Sequence, residues 1–279
     1  MLMASFFFAI MNVMVKLVPN IPAIEIIFFR SIVSLVLSYS LLKRNNVNVW
    51  GNNKKVLVFR GISGAIALTL FFITLQAIPL ASAVTIQYLS PIFTAILGIF
   101  IVKEQVKPLQ WLFFIIAFAG IIVIQGFDPR VSAYYVLLGV GSAILSGVAY
   151  NCIRKLKHSE HPLVIVFYFP LVTLPLTGIY LFYNSVMPQG IEWIILIAVG
   201  VATQFAQFYM TKSYQSDDLS KVASINYIGI IYALGFGMVL FKETFNIEVY
   251  LGIFIVLAGV ILNIWYKQRK EKMVKASVV

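Results

Sequence analysis

The sequence predicts an all-α membrane protein, with ten transmembrane helices in two inverted five-helix repeats. Three observations carry this. The 279 residues are 61% hydrophobic and 11% charged, against about 45–50% and about 25% in a soluble domain. Apolar runs of about 20 residues, the length needed to cross a bilayer core, recur ten times with basic residues between them. The second half restates the first at a constant offset of 139 residues. With a mean hydropathy of +0.95, there is too little polar sequence to cover a soluble core, which excludes a soluble enzyme, a nucleic-acid module and a disordered scaffold. The net charge of +11 reflects loops between membrane spans, so the expected partner is the lipid bilayer and not nucleic acid. Cys152, the one cysteine, makes no internal disulfide. No Cys/His spacing suits a metal, and no cofactor is expected.

The spans follow in order. Residues 1–18 read as a span and not a cleaved leader, because they lack a basic start and an Ala-x-Ala site and carry Asn12 and Lys16. Span 22–42 has Glu25 in its first turn and Arg30 deeper in. Span 56–78 contains Arg60, Thr69 and Gln76. Span 80–102 includes Pro91 and runs into Lys103-Glu104. Spans 109–127 and 133–153 follow, the second ending near Asn151 and Cys152. Span 162–183 precedes 191–211, which carries Gln204, Gln207 and Thr211. Span 220–241 ends at Lys242-Glu243, and 247–266 leads into a basic tail, 267–279. Trp111, Trp193 and Trp265 lie near span ends, where interfacial anchors belong. With the N-terminus in the cytoplasm, 16 of the 21 Lys and Arg fall on the cytoplasmic side, three fall opposite, and Arg30 and Arg60 lie within spans. The positive-inside rule then puts both termini in the cytoplasm of a multi-pass protein of the cell membrane.

The duplication is legible residue by residue. Residues 80–125 align without a gap to 219–264, with 12 of 46 pairs identical, Tyr88/Tyr227, Lys103/Lys242, Glu104/Glu243 and Gly120/Gly259 among them. Apolar bias would match Ile and Leu pairs, not these. The same offset pairs Asn12 with Asn151, Lys16 with Lys155, Gly61 with Gly200 and Gln76 with Gln215. The predicted units are 1–128, 133–266 and the tail 267–279. Five helices per unit is an odd number, so the second copy crosses the membrane in the opposite sense, an arrangement many secondary transporters use.

Phe28-Phe29-Arg30 in span two, and Tyr88-Leu89-Ser90-Pro91-Ile92-Phe93 followed by Lys103-Glu104 in span four, resemble signatures of the drug/metabolite transporter superfamily, EamA type. The resemblance covers all ten spans. It implies two inverted repeats around a central substrate cavity, and small organic solutes such as amino acids, their derivatives and nucleotide-like metabolites. The sequence departs from the pattern at Gly229-Ile230, where the first repeat has Ser90-Pro91, so a proline-dependent bend is missing or made differently there.

Polar groups inside a bilayer are costly unless paired and are candidates for function. Gln204, Gln207 and Thr211 share one face at i, i+3, i+7 spacing. The expected cavity is lined by spans one, three, four, six, eight and nine. Its candidate substrate-binding residues are Asn12, Gln87, Tyr88, Asn151, Gln204, Gln207, Asn226 and Tyr227. For single Ser and Thr residues, gluing helices together at about 0.6–2 kcal/mol each is the plainer reading. Arg30 lies about 12 Å along its helix. It is read either as a structural cation bonded to a neighbouring span or as the holder of an anionic substrate group. Glu25 is the candidate coupling carboxylate, with a surface role at its helix start the plainer reading. The two Lys-Glu pairs read as helix-end charges rather than gates, and His158 and His161 as solvated. The expected function is a carrier of a small organic metabolite, not an enzyme, acting as a monomer or homodimer by alternating access. A membrane-embedded enzyme acting on a lipid and a passive channel are the alternatives.

Overall fold

The computed structural model describes residues 1–101, 108–183, 185–216 and 228–276. Every regular element among them is helical: α1 (Leu2–Lys16), α2 (Ala23–Arg44), α3 (Lys54–Ala77), α4 (Leu80–Gln87), α5 (Ser90–Ile101), α6 (Pro108–Phe127), α7 (Ala133–Lys155), α8 (Pro162–Tyr183), α9 (Glu192–Ser216), α10 (Ile228–Phe241) and α11 (Ile247–Ala276). Proline marks several starts, where its missing N–H costs nothing: Pro22 and Pro79 precede α2 and α4, and Pro108 and Pro162 open α6 and α8. Among the described residues eight helices are long and apolar enough to cross a membrane, with α4 and α5 forming one interrupted span, Leu80–Ile101. α1 and α10 are shorter apolar helices. The start of the predicted span 220–241, and the Lys103-Glu104 pair, lie outside the described residues.

Packing is reciprocal between the halves. α3 lies on α7 and α1 on α9; α2 meets α9 and α3 meets α8; α5 meets α7 and α1 meets α10. Three pairs join equivalent spans: α2 with α8, α4 with α10, and α6 with α11. The 139-residue offset carries single contacts onto one another. Gly61 abuts Val172, and Gly200 abuts Val33. Gln76 Nε2 donates to Ile21 O at 2.9 Å, and Gln215 Nε2 donates to Glu160 O at 3.1 Å. Gly120 lies against the backbone of Gly252 and Val256, while Gly259 lies against that of Phe113 and Ala117. At this α6–α11 seam a Cβ on Gly120 would come within 2.7 Å of a carbonyl oxygen. Small residues are what allow two backbones to approach so closely inside lipid.

The main core runs through Met11, Ile26, Phe72, Ile86, Ile121 and Val256, with a second cluster around Leu42, Leu57, Ile153 and Val164 at the end that holds residues 45–53. Polar contacts tie the two ends. At the first, Lys16 Nζ bridges Glu243 at 2.9 Å and donates to Ile78 O at 2.7 Å, while both Glu243 oxygens accept the Leu80 N–H. Arg130 in the α6–α7 connection donates to both oxygens of Asp128 and to Thr244 O. The hydrogen-bonded carboxylate raises the Arg130 pKa above its ordinary value. At the second end, Glu160 accepts the N–H groups of Asn52 and Asn53, and Tyr168 Oη donates to Trp50 O.

Candidate functional site

The interruption of the fourth span positions the site. Pro91 has no N–H to bond the carbonyl four residues back, so the helix stops at Gln87, turns through Tyr88 and Leu89, and restarts at Ser90. The Tyr88 N–H is shared between Val84 O and Thr85 O, and the Leu89 N–H bonds Ile86 O three residues back. Inside a membrane such irregular backbone is tolerated where it is buried in protein or lines a cavity. It does line one here. A cavity of about 130 Å³ opens at the break, between α1, α3, α4, α5, α7, α8 and α9. Phe8, Phe71, Tyr88, Tyr150 and Phe169 form an aromatic wall, and Asn12, Arg60, Gln87, Ser90, Ser142, Ser146 and Gln207 supply its polar groups.

Hydrogen bonds hold Gln87, Ser142, Ser146 and Arg60 in place. Gln87 Nε2 donates to Ser146 Oγ at 2.9 Å, and its Oε1 lies 2.9 Å from Ser142 Oγ, whose proton is shared with Ala67 O at 2.7 Å. Arg60 Nη2 donates to Gln207 Oε1 at 3.1 Å. Phe169, which precedes the mid-helix Pro170, sits 4.7 Å from the Arg60 guanidinium and 5.2 Å from that of Arg30. Gly64 makes room for this ring, since a Cβ there would come within 2.8 Å of it. Arg30 is fully buried, with Nη1 donating to Thr203 Oγ1 at 3.3 Å and lying 4.0 Å from Met11 Sδ. Its partners are thus on neighbouring spans and the ring faces of Phe72 and Phe169.

Of the eight candidate substrate-binding residues, Asn12, Gln87, Tyr88 and Gln207 line this cavity. Asn151 does not: it is fully buried and donates to Thr94 O and Gly147 O, tying α7 to α5. Gln204 also points elsewhere, accepting from Ser34 Oγ on α2 at 2.6 Å. Two residues three apart differ by about 60° round a helix, enough to face different neighbours. Asn226 and Tyr227 lie outside the described residues. Among the described residues the seventh span, through Phe169, lines the cavity, and the ninth does not. Glu25 is not a surface group: it is 1% exposed and accepts the Val186 N–H at 2.9 Å, because the α8–α9 connection folds over the start of α2. Glu243 is not a bare helix-end charge either, given its bonds to Lys16 and Leu80. His158 and His161 are exposed. Among the described residues no cluster of His, Cys, Asp and Glu could hold a metal.

Arg60, Phe169, Tyr150 and the serine pair on α7 escaped the sequence reading. A signal existed for two of them. Arg60 was a second arginine inside a span, and Phe169 stands 139 residues after Arg30, so the second half has a ring where the first has the charge.

The profile of the EamA-like transporter family matches residues 1–126 and 133–265. The chain belongs to the EamA-like transporter family. It is a multi-pass membrane protein of a transporter family, not an enzyme. Among its curated relatives is the pseudopaline exporter CntI of Pseudomonas aeruginosa, 31% identical over 266 residues that cover 94% of this chain and 93% of the relative. Human solute carrier family 35 member G1 is 25% identical, covering 96% and 80%. The S-adenosylmethionine uptake transporter of Rickettsia prowazekii is 23% identical, covering 78% and 75%. A solved crystal structure superposes with a TM-score of 0.69 at 18% identity, covering 96% of this EamA-like chain and 98% of its own, which shows the shared fold.

Proposed function

We propose that this EamA-like transporter is a carrier that moves a small organic metabolite by alternating access between two inverted five-helix repeats, 1–128 and 133–266, with a basic cytoplasmic tail at 267–279. The observation that carries the reading is the cavity at the broken fourth span, set among helices whose contacts map onto one another across the 139-residue offset. Equivalent halves allow a midplane site to face either side in turn. The Lys16–Glu243 bridge holds α1 to the end of α10 at one end of the molecule. Exporters and uptake transporters both occur among the relatives, so direction is a property of the individual protein. The sixteen-to-three distribution of basic residues supports cytoplasmic termini.

Proteoliposomes loaded with candidate solutes test the reading. A carrier saturates and accelerates exchange when solute is present on both sides. Flux that neither saturates nor shows counterflow would replace it with a passive channel.

A further inference from the structure

We infer that the solute presents a carboxylate and that Arg60 is the residue that holds it. The inference rests on reading the cavity as the solute site and adds the chemistry of what enters. Arg60 lines the cavity yet is only 2% exposed, and of its three guanidinium nitrogens Nη2 alone has a hydrogen-bond partner among the described residues, Gln207. Nε and Nη1 are buried without one. Arginine keeps its charge in proteins, so this is a fixed cation with unused in-plane donors. The Phe169 ring beside it attracts the cation through its face but cannot accept those donors as an oxygen would.

Among the described residues no carboxylate neutralises it. The described carboxylates all stand at helix ends or in connections. Glu25 holds Val186, Asp128 holds Arg130, Glu160 holds Asn52 and Asn53, Glu192 holds Gln189, and Glu243 holds Lys16. Glu248 lies in the first turn of α11. None lines the cavity. Arg30, on the same Phe169 ring, adds a second buried cation. The missing negative charge is therefore left for the solute to bring. A planar carboxylate matches an arginine edge, and the aromatic wall suits an apolar or aromatic body attached to it. A phosphate, with up to two charges, would meet one cation in the wall.

The test uses the full chain purified in detergent, with benzoate, phenylacetate and 3-phenylpropionate, each compared with its own amide, and with inorganic phosphate alongside. Ligands that bind the folded state raise the melting temperature by mass action. At least one carboxylate is expected to bind ten or more times tighter than its amide, without competition from phosphate. Arg60→Gln is expected to reduce that preference to threefold or less, and Arg60→Lys to keep part of it. Should Arg60→Gln fail to fold, the acid-to-amide comparison on the unaltered chain still decides. Amides binding as well as acids, a preference that survives Arg60→Gln, or phosphate displacing the acid would each overturn the inference and leave the carrier reading standing. Failure of every acid to bind overturns it too, whereas the carrier reading falls only if flux shows neither saturation nor counterflow.

Discussion

Gly229 stands where the first repeat has Ser90, and Tyr88 supplies the reason: the site of a Cβ at 229 is taken up by the Tyr88 hydroxyl. Gly229→Ala should therefore destabilise the protein by about 1–3 kcal/mol, as overpacking does. Tyr88→Phe in the same chain should relieve most of that cost, and a double-mutant cycle of thermal stabilities measures the coupling. Purely additive effects would mean that the two residues do not meet. Arg30, like Arg60, has two guanidinium nitrogens without a hydrogen-bond partner among the described residues, but it lies outside the cavity wall. With Thr203, Met11, Phe72 and Phe169 around it and no place in the cavity wall, its truncation to Ala should reduce folded protein rather than affinity alone. Arg30→Ala of normal abundance and normal transport would remove it from any important role.

At the scale of elements, the ends of α1, α4 and α10 are drawn together by one carboxylate. Glu243 carries the charge for Lys16 and the acceptors for the first N–H of α4. Removing one partner of a buried pair typically costs about 3–5 kcal/mol. Glu243→Gln should fall at or below the low end, because an amide oxygen still serves Leu80 and Lys16 retains Ile78 O. The double change Lys16→Met with Glu243→Gln should cost less than the two singles summed, by chemical denaturation. This junction shows where sequence reading stopped. Span positions are legible because twenty apolar residues between charges have one physical explanation, whereas the stop at Gln87 inside the run 80–102 is not read from that run. The bond between Lys16 and Glu243 joins residues 227 apart in sequence, and only the packing of α1 beside α10 brings them together. Gln204 and Gln207 shared a predicted face, yet which neighbour each meets depends on where α2 and α3 lie.

Across the whole molecule, the duplication was the most informative feature of the sequence, and the paired contacts Gly61–Val172 and Gly200–Val33 extend it from letters to packing. What the offset could not convey is the asymmetry of the site, where Asn12 faces the cavity and Asn151 a helix backbone. The sixteen-to-three distribution of basic residues predicts that a cysteine placed in the 185–190 connection, in a chain lacking Cys152, reacts with an impermeant thiol reagent from outside the cell, and that one at 45–53 does not. The reverse pattern would invert the molecule in its membrane. Arg30 and Arg60, buried side by side against Phe169, have a further consequence: they are electrical. Neither sheds its proton, and a charge crossing the full membrane field exchanges about 2.3 kcal/mol per 100 mV. Any rearrangement that changes how much membrane separates the cavity from either face moves both charges through part of that field. A potential imposed across proteoliposomes by a potassium gradient and valinomycin should therefore change the turnover rate even for an uncharged solute. A rate indifferent to voltage would mean that the two arginines stay still in the field while the solute crosses.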